Sequence, residues 1–434
     1  MKKHINLSLC TTVSAAVTIF SPNAAIAFQL SPRWSSTATD GSGLVQGDPT
    51  TITWSIVGDG TPITGFAGEP NAPSNLISFL DGIYGSAGTP NIQNKAWFNV
   101  ISASFNRWSE LTGITYQYEA NDDNTSLGFT SGLLGTRGDV RIGGHLIDGN
   151  FGILAYNFFP NVGDMVIDTA DSFYNNTSNN SLGLRNTLTH ELGHGIGLEH
   201  VESSDGNFLL EPVLNLGFDG PQFDDILGAQ RLYGDALETK QSGNETIADA
   251  HDLGSFNIND SFAIGTDAVD LVVAPTETDF ISIDGLSDTD FLRFNVSSDA
   301  VLDLALQALG VPYNQGPQDG IQSLFDPSTQ NNLGLEILGS DGITSLGLSN
   351  IGGLGVSETL SNISLSSGDY FIRVFGTQDA AQFYSLNLNF SAATAVPFEF
   401  SPSFSLMILG LYFGSRYLWQ NRRKPQPQKH PNNN

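Results

Sequence analysis

His190-Glu191-Leu192-Gly193-His194-Gly195-Ile196-Gly197-Leu198-Glu199-His200 is the stretch from which the rest of the chain is read. On a helix, positions four apart share a face, so His190 and His194 can aim their imidazoles at one ion. Glu191, one residue on, is near enough to reach a water on that ion. Gly197 permits a positive φ, which lets the chain turn sharply after the helix. The turn can bring His200 round as a third ligand. Three neutral nitrogens leave a fourth position open, which marks a catalytic zinc site. Zinc lowers the pKa of a bound water toward about 7, and Glu191 can take the proton. The bland alternative is a helix carrying solvated histidines. Five positions are fixed, so at one in twenty each an accidental match in a chain this long is on the order of one in ten thousand. The chain has only seven histidines, and three of them lie here.

Around this stretch the hydrophobic pattern predicts short elements cut by Gly and Pro. Residues 50–57 (TTITWSIV) are β-branched and aromatic and predict a strand. Residues 94–111 predict a helix with Trp97, Ile101, Phe105 and Trp108 on one stripe. Residues 114–118, 139–142 and 152–158 predict strands. Residues 186–196 and 224–233 predict helices.

The zinc stretch and its surroundings resemble the metzincin clan of zinc endopeptidases, and within it the matrixins. Further residues carry the resemblance: Trp54, the helix through Phe105 and Trp108, Gly152-Ile153-Leu154-Ala155-Tyr156, and Phe223-Asp224-Asp225-Ile226-Leu227-Gly228-Ala229-Gln230-Arg231-Leu232-Tyr233-Gly234. It spans about residues 46–235. It implies an α+β zincin catalytic domain, a twisted mixed sheet with three helices and a horizontal active-site cleft. It implies catalytic Zn2+ on His190, His194 and His200, with Glu191 as general base. It also implies an edge strand at 152–156, where Leu154, Ala155 and Tyr156 bind an extended substrate by strand addition. Asp164, Asp168 and Asp171 lie where the family binds Ca2+, and their hard oxygens suit that ion.

Two departures stand out. Leu210, in Leu209-Leu210-Glu211-Pro212, occupies the place of the clan's methionine beneath the zinc. Leu and Met have similar volumes, so a hydrophobic floor is preserved. Of the residues that hold a second, structural zinc in animal matrixins, only His145 and Asp148 remain, because Tyr156 and Ile167 stand at two of those places. His145 therefore reads as an ordinary loop histidine.

Residues 236–246 are polar and read as a linker. From 247 to 391 the pattern becomes all-β, with strands predicted at 290–296, 302–306, 370–374 and 384–390, the signature of a sandwich. Asn244-Glu245-Thr246, Asp288-Thr289-Asp290-Phe291-Leu292-Arg293-Phe294 and Gly368-Asp369-Tyr370-Phe371-Ile372-Arg373-Val374 resemble the bacterial pre-peptidase C-terminal domain. The Gly-rich insert at about 307–359 is atypical of it. His251, the one histidine of this region, reads as structural or exposed.

Charge sorts the ends from the body. All 45 acids lie between Phe28 and Phe400, against ten bases there, whereas residues 1–27 and 401–434 carry bases alone. Such an acidic body repels phosphate backbones and excludes nucleic acid as a partner. Lys2 and Lys3, an apolar stretch and Ala25-Ile26-Ala27 read as a signal peptide over 1–27. Cys10, the single cysteine, falls inside it, so the mature chain has neither disulfides nor a thiol latency switch. The segment 396–424 joins Val396-Pro397-Phe398-Glu399, an apolar run and Arg422-Arg423-Lys424. It resembles PEP-CTERM sorting signals in a Pro-Phe-Glu variant, implying export machinery and an exosortase-like enzyme as partners.

The expectation is thus an exported or surface-held monomeric zinc endopeptidase acting on proteins or peptides. The rival is a surface binding or adhesion protein with a vestigial metal site, motivated by Leu210 and the acidic sandwich.

Overall fold

A computed structural model describes residues 28–205, 207–238 and 243–392, and beyond these Arg416 alone. The signal over 1–27 and the sorting segment 396–424 lie outside the described residues. The first half is built on five strands: β1 (Thr50–Ile56), β2 (Ile114–Tyr118), β3 (Val140–His145), β4 (Ala155–Asn157) and β5 (Met165–Asp168). Their order is β2-β1-β3-β5-β4, parallel throughout except for β4, which runs antiparallel at the edge. Every residue of β1 is buried, as a central strand covered on both faces requires.

Helices α1 (Leu76–Tyr84), α2 (Phe98–Leu111), α3 (Ser178–Gly195) and α4 (Phe223–Tyr233) complete this half. The stripe of α2 forms as its spacing predicts: Trp97, Ile101, Phe105 and Trp108 are each 0% exposed. Phe105 stacks on Trp54 of β1 with ring centroids 4.1 Å apart. Trp108 Nε1 donates to Thr189 O at 3.0 Å and so ties α2 to the helix that carries the first two histidines.

There are four α-helices here, not the three that the resemblance implied. The extra one, α1, is short and contains the weak helix former Gly82, and it is held from outside: buried Asp81 pairs with Lys95 at 2.7 Å and accepts from Trp97 Nε1 at 2.9 Å. α3 also starts earlier than residue 186. Its first turn is irregular, with left-handed φ of 51°, 54° and 57° at Asn179, Asn180 and Ser181. Strand β5 was not predicted. Its period is hidden because all four residues are buried.

The second half packs two five-stranded sheets face to face. One runs His251–Phe256, Thr289–Val296, Gly368–Gly376, Leu333–Leu338, Ser345–Ser349. The other runs Ser261–Ile264, Gln382–Ser391, Ala300–Ala308, Glu358–Leu365, with Ile281–Ile283 also on Gln382–Ser391. Along Ala300–Ala308 the burial alternates strictly, so Leu302, Leu304 and Leu306 meet Leu292, Phe294 and Ile372 of the facing sheet.

The two halves share apolar packing. Phe280, Tyr313, Phe325 and Phe383 belong to the same buried cluster as α4 residues Phe223, Ile226 and Leu227. Gln230 on α4 donates to both Leu111 O (2.7 Å) and Phe280 O (3.0 Å). Residues up to Ala392 form one compact unit. At the borders of the polar 236–246 stretch, Glu238 and Asn244 are buried, and Asn244 donates to Asp290 at 2.7 Å. A hairpin of Tyr313–Pro317 and Ser323–Phe325, from the atypical insert, leaves the sandwich and pairs with Val201–Glu202.

Candidate metal centre

His190 and His194 lie one turn apart on α3, as a helical spacing of four dictates. The helix ends at Gly195, and Gly197 takes φ of +106°. A Cβ there would lie 3.1 Å from Pro32 O, so both the backbone angle and the tight space favour glycine. The chain then returns with His200. Nε2 of His200 lies 3.2 Å from Nε2 of His190 and 3.2 Å from Nε2 of His194. Tetrahedral bonds of about 2.0–2.1 Å to one zinc would hold such nitrogens about 3.3 Å apart.

The opposite ring nitrogens decide whether these histidines can act as ligands. Nδ1 of His190 donates to Leu209 O (2.6 Å), Nδ1 of His194 to Leu198 O (2.7 Å), and Nδ1 of His200 to Gln318 Oε1 (2.8 Å). With the proton held on Nδ1, each Nε2 presents its lone pair to the common centre. Burial, then His200, pushes His190 down to about 3, and burial, then His200 and His190, holds His194 well below its ordinary value. Burial also lowers His200. All three are therefore neutral at physiological pH, the form that binds metal. The donor set fits zinc.

Each acceptor is itself held. Leu209 and Leu210 form the turn beneath the site, and Asp225 of α4 accepts from both their N–H groups, at 2.7 and 3.1 Å. Leu210 is 1% exposed, and its Cδ2 would lie 2.8 Å from a Cβ built on Gly193. It packs its side chain under α3 at Gly193. The segment holding Leu198 is bridged by Leu30, and Glu199 N donates to Gln29 O at 2.9 Å.

Glu191 is 2% exposed, and burial alone pushes its carboxyl up to about 8. A cation among the three histidines would oppose that shift by favouring the charged form. Edge strand β4 passes the end of α3: a Cβ on Gly195 would lie 2.8 Å from Asn157 Nδ2, and Phe159 sets its ring edge-on to His194. Leu154, Ala155 and Tyr156 have buried side chains, and Tyr156 donates to Glu69 at 3.0 Å.

The structure does not gather Asp164, Asp168 and Asp171 around one point. Asp164 accepts from Gly128 N and Arg141 N, at 2.7 and 3.0 Å. Asp168 accepts from Asp148 N, Gly149 N and Ala170 N. Asp171 accepts from Phe151 N and Phe173 N. Asp168 and Asp171 thereby hold the loop after β3 at residues 148–151, while Asp164 ties Gly128 to β3. His145 is buried beside Glu69, 3.4 Å away, and Asp148 caps Ile153 N at 3.0 Å. Among the described residues two groups of possible ligands converge within 4.8 Å: the three histidines, and Glu238, Asp288 and Asp290.

Sequence reading missed Asp225 and Gln318 as parts of this site. Asp225 had a signal, since Gln222 and Asp225 form a capping box at the start of α4. Gln318 had none.

A model of the matrixin peptidase family, Peptidase_M10, matches residues 84–234. Human matrix metalloproteinase-20 is 28% identical over 177 residues, which is 39% of this chain and 33% of that protein. Metalloendoproteinase 4-MMP of Arabidopsis thaliana is 29% identical over 147 residues, 31% of this chain and 39% of that one. The chain thus spans between a third and two-fifths of the length of these relatives. The solved pre-peptidase C-terminal domain of a Bacillus anthracis collagenase aligns with 32% of this chain and 96% of its own, at 14% identity and a TM-score of 0.19.

Proposed function

We propose that the chain is an exported zinc-dependent endopeptidase, with residues 46–235 as its catalytic part and His190, His194 and His200 as the zinc ligands. The observation that carries this reading is the pinned tautomer of all three histidines, which leaves three Nε2 lone pairs on one centre. Similarity to the matrixins over 84–234 supports the reaction class.

Bound there, zinc would supply the positive charge that polarises a scissile carbonyl and acidifies a water. Glu191 is the proton carrier. Its carboxyl is buried, and no hydrogen bond among the described residues competes for its lone pairs. It accepts the proton of the attacking water and returns it to the leaving amine nitrogen. The edge formed by Leu154 and by Ala155 and Tyr156 of β4 receives an extended peptide as an added strand, with main-chain hydrogen bonds giving affinity. The substrates are proteins or peptides. The leader over 1–27 and the sorting segment 396–424 direct the chain to the cell surface or beyond.

Glu191→Gln tests this role. It is expected to keep stoichiometric zinc and lose roughly 10²–10⁴-fold in kcat on an unfolded protein substrate. Cleavage at the wild-type rate by that variant, or wild-type protein without stoichiometric zinc, would overturn the proposal.

A further inference from the structure

We infer that Gln318 is a positioning residue of the metal centre, so that a hairpin of the sandwich completes a site whose ligands all lie in the first half. This rests on the zinc reading above.

His190 and His194 are backed by carbonyls of their own surroundings, Leu209 O and Leu198 O. A backbone carbonyl is available whatever the side chain there. His200 is different. Its Nδ1 donates to a side-chain amide oxygen 118 residues downstream, Gln318 Oε1 at 2.8 Å. Without an acceptor at Nδ1, the imidazole can turn and move its proton to Nε2, and the third ligand is lost. A neutral amide oxygen selects the required tautomer without adding charge to the site.

The contact is built into the hairpin's attachment. Val201 and Glu202, directly after His200, pair with Pro317 and Gly316. Ser203 Oγ donates to Asn314 O, Ser204 N to Gln322 Oε1 at 2.9 Å, and Asn314 N to Asp205 at 2.7 Å. At the hairpin's base Tyr313 is 0% exposed, packs against Phe208 and Phe325, and donates its hydroxyl to Asp224 of α4. At its tip Gly320 N donates to Pro317 O at 2.8 Å, and Asp319 takes φ of +57°. Gln318 thus sits in a closed turn whose register against His200 is set by strand pairing and by a buried anchor.

The experiment uses the full chain. Zinc dissociation constants are measured by competition with a chromophoric chelator for wild type, Gln318→Ala, Gln318→Glu and Gln322→Ala. Absorption spectra of the cobalt-loaded proteins are recorded at saturating metal, with peptide hydrolysis as a second readout. Gln318→Ala is expected to bind zinc roughly 10–100-fold more weakly and to change the cobalt spectrum. Gln318→Glu, which keeps an acceptor, is expected to restore both. Gln322→Ala, which loosens the hairpin without touching a histidine, is expected to match wild type. Zinc affinity within twofold of wild type together with an unchanged cobalt spectrum in Gln318→Ala overturns the inference and leaves the zinc reading standing. Equal weakening in Gln322→Ala also overturns it, since the effect would then be the hairpin's alone. Wild type without zinc removes both readings.

Discussion

Gly197 shows how one residue can join a local rule to a site. Its spacing in the sequence foretold a turn, and its φ of +106° together with the close approach of Pro32 O shows why a side chain there is strained. Gly197→Ala is expected to cost about 1–3 kcal/mol, the range for a residue forced into a left-handed backbone, measurable by urea unfolding. Zinc affinity should fall with it, because the strain sits three residues before His200. An unchanged unfolding midpoint would show that the turn relaxes elsewhere. The histidines were legible for the same local reason: helix period and glycine φ are properties of neighbours along the chain. Leu210 was legible as a hydrophobic floor, since burial depends mainly on volume and polarity.

At the scale of elements, α4 holds the site from below. Asp225 receives three backbone N–H groups, from Leu209, Leu210 and Gln222, at 2.7, 3.1 and 2.8 Å. It thereby fixes Leu209 O, the acceptor behind His190. Asp225→Ala strands those buried donors, and a loss on the order of 3 kcal/mol follows from the price of unmade hydrogen bonds to a charged group. Chemical denaturation would measure it, and a loss below about 0.5 kcal/mol would contradict the clamp. The strands with strict alternation, Ala300–Ala308 above all, were readable because one face meets a core and the other water. α1 was not, since Lys95 and Trp97 lie beyond its own sequence and decide its burial. β5 was not, since a strand buried on both faces has no period of two.

For the molecule as a whole, the seam between the halves concentrates acid. Burial, then neighbouring carboxylates, holds Glu238, Asp288 and Asp290 well above their usual range. Burial also lifts Asp284 to about 7 and Asp235 to about 6. In the unfolded chain such groups titrate near about 4. The folded state therefore keeps protons that the unfolded state releases, and this stabilisation is complete at low pH and lost as pH rises through the folded values. The buried histidines act oppositely: their contribution is present above about 6.5, the ordinary value, and lost as pH falls. Above that pH the histidine contribution no longer changes. In chelator, so that no cation neutralises the cluster, Tm is expected to fall between about pH 6.5 and pH 8. A Tm that rises across that interval would contradict this balance of charge.

The sequence by itself determined the three-histidine cluster, the glutamate beside it, the turn that returns the third histidine and the change from mixed α/β to all-β. Each depends on periodicity or backbone angle within a few residues, which a chain carries wherever it is placed. Only the tertiary structure decided what stands behind the ligands: Leu209 O through Asp225, Leu198 O through residues 29–30, and Gln318 through a hairpin of the sandwich. A ligand's tautomer depends on its hydrogen-bond partner. For His200 that partner is 118 residues away along the chain and is brought close only by packing Tyr313 into the shared core.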